Sequence, residues 1–171
     1  MKEDIQIIVD ENDEVIGYKH RHDITSDDTY RVSALWIENS KWEILMSLRG
    51  FMKKNNPGKW SAAVAGTIDK WESYDENIYK EAEEELWITW YIFEKWEKMH
   101  HTKWQYRYFC QWYHLTADIN IEELVLEYPE VETTRWFHPD EIRNILQYSP
   151  EVFTWNFRDT LEKKYIKKRM N

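Results

Sequence analysis

Residues 66–88 read GTIDKWESYDENIYKEAEEELWI, and the placement of this acidic stretch decides the fold. Tyr74–Leu86 carries apolar residues at helical spacing. Ser73 stands before it and Glu76 follows three residues later, the spacing of a capping box. On a helix turning about 100° per residue, with Ile78 as origin, Tyr74, Ala82 and Leu86 fall within about 80° of Ile78. That stripe faces a core. Glu85 falls about 20° from Ile78, Glu81 about 60° and Glu84 about 120°. The three carboxylates therefore form an arc that begins in the buried face. An unpartnered buried carboxylate is strongly unfavourable, and neighbouring carboxylates repel one another. A divalent cation relieves both problems, and hard oxygen donors suit Mg²⁺ or Mn²⁺. A solvated glutamate-rich helix accounts equally well for the three glutamates taken alone, because glutamate is a common helix former. Glu76 and Glu83 fit that plainer description.

The order of residues in this stretch resembles the Nudix box. In that pattern a glycine is followed after five residues by Glu, then after seven by Arg-Glu, an aliphatic, any residue, Glu-Glu, any residue, Gly and an aliphatic. Gly66, Glu72, Glu81, Ala82, Glu84, Glu85 and Ile88 match it. Two positions depart. Lys80 stands where the family has arginine, keeping the charge but losing the bidentate fork. Trp87 stands where the family has glycine, just past the helix end, where a positive φ is often required.

The resemblance implies a Nudix-type α/β/α sandwich with a mixed β-sheet (α/β, α+β). It also implies metal-dependent hydrolysis of a nucleoside diphosphate linked to another moiety. Glu81, Glu84 and Glu85 would be the catalytic and metal-binding carboxylates for Mg²⁺ or Mn²⁺, with the backbone carbonyl of Gly66 as a further ligand. The general base varies across the family and is not assigned. Glu72 would orient the helix through Lys80. The partner would be a small-molecule nucleotide or diphosphate substrate. Many members are dimers, and a homodimer is compatible with the sequence.

Outward from the box, Ile5–Val9 and Val15–His20 read as strands around the turn Glu11-Asn12-Asp13. Tyr30–Ile37 and Glu43–Leu48 read as a strand pair around Asn39-Ser40-Lys41-Trp42. Arg49–Lys59 is a basic loop, and Trp60–Ala65 a buried strand. Trp90–Glu94 and Tyr106–Leu115 follow as strands, with weaker ones at Leu124–Leu126 and Glu132–Phe137. Helices are expected at Pro139–Leu146 and Phe157–Arg169, the latter with a basic end suited to the helix dipole. Interspersed strands and helices indicate one domain over residues 1–171 with a mixed sheet.

Arg49, at a strand end, and Lys59 are candidates to meet phosphate oxygens. Trp60 and Trp136 are candidates to stack a base, with core packing the competing role. Glu130 and Glu132 are weaker candidates to add a carboxylate. The opening VDENDEVIGYKHR (9–21), the strand end SLRG (47–50) and PGKW (57–60) resemble the isopentenyl-diphosphate isomerase branch. That isomerase uses a cysteine near the strand leading into the box, where this chain has Ser61-Ala62-Ala63-Val64-Ala65. The hydrolase is therefore favoured over the isomerase, and retention of all three box glutamates favours it over a binding module that has lost turnover.

With 32 acidic against 23 basic residues the net charge is −9. No general attraction to a nucleic acid duplex follows from that balance. One cysteine, Cys110, excludes an internal disulfide and fits a reducing cytoplasm. The N-terminal MKEDIQIIVDENDEV shows no secretory signal, and no apolar run of about 18 residues is present to cross a membrane.

Composition departs from the ordinary in one respect. Glycine at about 7% would give roughly 12 residues, but only 4 are present, against 11 tryptophans. Trp42, Trp71, Trp87 and Trp96 stand where turns or the box call for glycine. Systematic replacement of glycine by tryptophan accounts for this, as when a gene that uses UGA for glycine is read by a code that assigns it to tryptophan; the alternative is a naturally tryptophan-rich protein. Sequencing the source gene is expected to show UGA at codons 42, 71, 87 and 96; UGG at those codons would refute the explanation.

Overall fold

The computed structural model describes residues 4–103 and 105–166. Its strands are β1 (Ile5–Val9), β2 (Val15–His20), β3 (Thr29–Glu38), β4 (Ile44–Arg49), β5 (Trp60–Ala62), β6 (Val64–Thr67), β7 (Glu94–Lys103), β8 (Tyr106–Thr116) and β9 (Val131–Phe137). The helices are α1 (Tyr74–Leu86), α2 (Pro139–Tyr148) and α3 (Trp155–Tyr165).

β3 organises the sheet. It runs parallel to β8 and antiparallel to β1, β4 and β6. Successive side chains of a strand point to opposite faces, and β3 is apolar on both. Ala34 and Trp36 join the core that α2 and α3 cover through Ile142, Leu146, Phe157 and Leu161. Leu35 and Ile37 join the core that α1 covers through Ile78, Ala82 and Leu86. β8 divides likewise, Cys110 and Trp112 to the first side and Tyr113 and Leu115 to the second. A strand buried on both faces loses the polar–apolar alternation of a surface strand. The result is a mixed sheet between helical layers, as the sequence implied.

Five expectations need correction. Trp60–Ala65 is not one strand: the chain pairs with β4 as β5, turns at Ala63, and pairs with β3 as β6. Trp90–Glu94 is a loop up to Phe93, and the strand is Glu94–Lys103, paired with β8. Its exposed, mostly charged residues conceal it, because it lies at a sheet edge with only Met99 and His101 buried. Leu124–Leu126 forms no strand; it follows a short 3₁₀ turn, and its leucines pack on the α1-side core. Trp96 is not in a turn but in β7, where the register with β8 shifts between Lys95 and Lys98. The last helix begins earlier than expected, at Trp155; residues 167–169 of the expected span, and Trp104, lie outside the described residues.

The tryptophans at glycine-like positions divide into two groups. Trp42 has φ 65° and Trp87 φ 57°, both in the left-handed region, and both side chains are exposed. Trp42 closes the β3–β4 turn, with its N–H donating to Asn39 O at 3.0 Å. Trp87 caps α1, its N–H donating to Glu83 O at 3.0 Å. Trp71 and Trp96 do not share that backbone conformation. An L-residue with a side chain at such a φ costs about 1–2 kcal/mol. Trp42→Gly is therefore expected to raise Tm by about 2–4 °C in a chain of this size, whereas Trp71→Gly is not. Differential scanning calorimetry checks this, and equal gains for both variants would contradict it.

Candidate active site

The site is built where α1 lies against β6. Ile78, Ala82 and Leu86 fix the helix in the core, and the capping box fixes its start: Glu76 N–H donates to Ser73 Oγ at 3.2 Å, and Ser73 N–H to Glu76 Oε2 at 2.8 Å. That placement brings Glu81 directly over Gly66. A Cβ on Gly66 would sit 2.3 Å from Glu81 Cγ and Cδ, closer than any real contact. The first glycine of the box is thus required by the space its neighbour's carboxylate occupies.

Beside Glu81 a buried polar network positions the helix. Lys80 Nζ donates to Glu72 Oε1 at 2.6 Å and lies 3.1 Å from Glu81 Oε1 and 3.9 Å from Asp69 Oδ2. The fully buried Asn77 is its hub. Asn77 Nδ2 donates to Glu72 Oε2 at 2.8 Å and faces Thr67 O at 3.2 Å and Glu81 Oε1 at 3.3 Å. Ser33 Oγ on β3 donates to Asn77 Oδ1 at 2.5 Å. The sequence reading missed Asn77. Its signal was a poor helix former placed one turn before Glu81 on the same side.

These contacts sort the carboxylates. Burial alone would raise the Glu72 carboxyl, but hydrogen bonds from Lys80, Asn77 and the Asp69 N–H hold it below the usual range. Lys80 is likewise held charged by Glu72 and Glu81 against its own burial. Glu81 is raised, first by burial and then by Glu84 and Glu72, despite Lys80. Glu85 is raised to about 8, chiefly by burial and next by Glu81; the Ala65 N–H and Arg49 oppose this, and Glu130 adds to it. Two adjacent carboxylates are thus disfavoured as anions.

The remaining candidates lie around this pair. Glu84 is exposed, in a groove with Lys80, Trp87 and Val125. Arg49, at the end of β4, faces the same hollow as Glu85 and Glu130 and donates through Nε to Asn55 O at 3.2 Å. Glu130 is held there by an ion pair with Lys53 and by the close approach of its loop to Gly50, where a Cβ would sit 1.8 Å from Pro129 O. Glu132 is exposed on β9. Lys59 is half-buried beside that loop, accepting the Arg49 N–H at 3.0 Å through its carbonyl. Trp60 packs edge-on against Phe137 at 4.8 Å with Arg135 over its ring. Trp136 donates through Nε1 to Ile119 O at 3.3 Å. Arg49, Ser61, Ala62 and Ala65 also border a larger cleft of about 180 Å³ that leads to Tyr106, Tyr108 and Trp155.

Among the described residues, no three His, Cys, Asp or Glu side chains converge as a closed metal cage. The donor set nevertheless fits a hard divalent cation. Glu81 and Glu85 supply oxygen from a poorly solvated position, and the Glu81 carboxylate adds to burial in raising the Glu85 carboxyl. Gly66 leaves room for its own backbone beside them.

Comparison with known proteins decides the family. The NUDIX domain model matches residues 28–156. The chain belongs to the Nudix family. It is 28% identical over 138 residues to an uncharacterised Nudix hydrolase of Yersinia pestis, covering 79% of this chain and 73% of that one. A Streptomyces coelicolor Nudix hydrolase, also uncharacterised, is 33% identical over 85 residues, 49% of this chain and 47% of that one. Among solved structures, a Deinococcus radiodurans protein superimposes with a TM-score of 0.80 at 20% identity, covering 94% of this chain and 99% of that one. The NUDIX domain of Shewanella oneidensis NrtR, solved with ADP ribose, gives 0.61 at 12% identity over 82% and 88%. The α/β/α architecture is thus that of Nudix proteins, and the chain is a Nudix hydrolase, an enzyme of pyrophosphate bonds.

Because Asn77 joins β3, the box loop and α1, Asn77→Ala leaves Ser33 and Glu72 short of a partner. It is expected to lower stability by about 1–3 kcal/mol. Equilibrium urea unfolding measures this, and a loss below about 0.5 kcal/mol would show that the network does not hold the helix.

Proposed function

We propose that this Nudix hydrolase cleaves, with Mg²⁺ or Mn²⁺, the diphosphate of a nucleoside diphosphate linked to another moiety. The observation that carries the reading is Glu85, a box glutamate whose buried carboxyl is raised to about 8 within reach of Arg49 and Glu130. An uncompensated carboxylate is costly there unless a cation joins it. Glu81, Glu85 and the Gly66 carbonyl would hold the ion, with Glu84 completing the set from the exposed side. When bound, the ion supplies charge neutralisation at the phosphate oxygens and a more acidic water.

The chain's own residues supply the rest. Lys80 and Glu72 fix the rotation of α1, and Asn77 fixes its distance from β6. Arg49 offers a guanidinium to phosphate oxygens at the mouth of the cleft, where a bidentate contact is favoured. The nucleotide reading is supported by the adjoining aromatic cleft and by the ADP ribose bound in the Shewanella oneidensis relative. One domain over residues 1–171 and a cytoplasmic location belong to this reading. The location is supported by the single free thiol of Cys110; among the described residues no helix is long and apolar enough to cross a membrane.

Glu85→Gln keeps the shape and removes the charge. It is expected to lower metal-dependent turnover by at least about a hundredfold with an unchanged far-UV circular dichroism spectrum. Near-normal release of nucleoside monophosphate or phosphate by this variant would remove Glu85 from the site.

A further inference from the structure

Among the described residues, β2 ends the sheet and pairs with β1 alone. Its outer side therefore offers a row of backbone N–H and C=O groups to a further strand. The side chains there are apolar. Ile16 is 67% exposed and Tyr18 51%, and residues two apart on a strand share one face. An edge strand that meets only water is ordinarily blunted by charges or a bulge. β7, which pairs with β8 alone, is blunted in this way. It exposes Glu94, Lys95, Glu97 and Lys98, Lys95 pairs with Asp75 and Lys98 with Asp13, and its register shifts between Lys95 and Lys98. The middle of β2, Ile16-Gly17-Tyr18, carries neither a charge nor a bulge.

Gly17 is a second, independent sign. Of the four glycines, three are required by their surroundings: a Cβ on Gly50, Gly58 or Gly66 would come within 3 Å of Pro129, Phe51 or Glu81. At Gly17 a Cβ would meet nothing within 4 Å, and the backbone there is not left-handed. Glycine weakens a strand interior, and its use there often marks the close approach of another backbone.

The pattern of β2 itself selects the occupant. Laid antiparallel against its own copy with Gly17 on the two-fold axis, the strand sets Ile16 opposite the partner's Tyr18 and Tyr18 opposite the partner's Ile16. Aliphatic and aromatic residues directly opposed in this way stabilise a strand pair. The exposed acidic start of the strand, Glu11 and Glu14, lies toward the exposed basic end, His20, Arg21 and His22, of the other copy. Each favourable contact occurs twice, as in any isologous two-fold interface. A parallel pairing would instead bring the acidic starts together.

We propose that the β2 edge is a self-association surface and that its occupant is β2 of a second copy of this chain, paired antiparallel about Gly17. The sheet then runs through both copies. Glu81, Glu85 and Arg49 take no part, so the proposal stands or falls apart from the hydrolase reading.

Sedimentation velocity of the full chain at about 100 µM, a concentration suited to an interface at the small end of the range, is expected to show a dimer. Ile16→Lys/Tyr18→Lys sets like charges opposite one another twice and is expected to weaken association about tenfold or more. Its far-UV circular dichroism spectrum should not change, because both side chains are exposed. Ile16→Lys/Tyr18→Glu sets lysine opposite glutamate and is expected to restore the dimer. Gly17→Cys places two thiols on the axis, where directly opposed Cα atoms lie about 4.5–5.5 Å apart, within the span of a disulfide. Mild oxidation is expected to cross-link that variant but not Ile16→Cys, which faces the partner's Tyr18. Cys110 is buried and does not compete. If the lysine variants fail to fold, the two cysteine variants carry the test. The proposal is overturned by a monomer at about 100 µM, by a dimer that survives Ile16→Lys/Tyr18→Lys, by a lysine–glutamate variant that stays monomeric, or by Ile16→Cys cross-linking as readily as Gly17→Cys.

Discussion

The contact between Glu81 and Gly66 is the constraint on which this structure depends. A helix carrying Glu81 and Glu85 on its inner side can pack against the sheet only if the facing strand gives up a side chain, and Gly66 does so. The apolar anchors Ile78, Ala82 and Leu86 drive the helix inward. The carboxylates go in with it. Apolar burial therefore supplies the free energy that holds two poorly solvated acids side by side. In the function proposed above, a divalent cation would relieve that cost.

The polar layer around that contact keeps it exact. Lys80 pairs with Glu72 across the box loop, Asn77 binds both Glu72 and the backbone of β6, and Ser33 reaches Asn77 from β3. Lysine in place of the family's arginine keeps this pair, as a single short hydrogen bond rather than a fork. The exchange at the helix end has a different consequence. Trp87 adopts the left-handed conformation of the family's glycine and holds its capping hydrogen bond, at a backbone cost and with its ring in solvent. The fold thus tolerates Trp87 and Trp42 rather than using them. Trp36 and Trp112, by contrast, are core residues on β3 and β8.

Much of this was legible in the sequence because the box states it locally. The capping box, the inward stripe and the position of Glu85 follow from spacing along one helix and its cap, and the Glu72–Lys80 pair is what the resemblance to the Nudix box implies. What was illegible depends on distant elements. Asn77 becomes a hub only because Ser33 and Thr67 arrive from β3 and β6. Glu130 joins Glu85 only because Gly50 admits its loop. β7 was misread because an edge strand carries charges on its open face, and the split at Ala63 was invisible because both halves are buried on different partners. The aromatic cleft is assembled from β3, β5, β6, β8 and the start of α3, so no stretch of sequence announces it. The glycine-like tryptophans were half legible: local context picked four, and the backbone singles out Trp42 and Trp87.

The central claim is that α1 and β6 together form a divalent-cation site. It is tested most directly by soaking crystals of the full chain in Mn²⁺ and recording anomalous diffraction. The account predicts a peak bounded by Glu81, Glu85 and the Gly66 carbonyl, with Glu81 withdrawn from Lys80. Occupied Mn²⁺ elsewhere, with Glu81 still on Lys80 and no density beside Glu85, would contradict it.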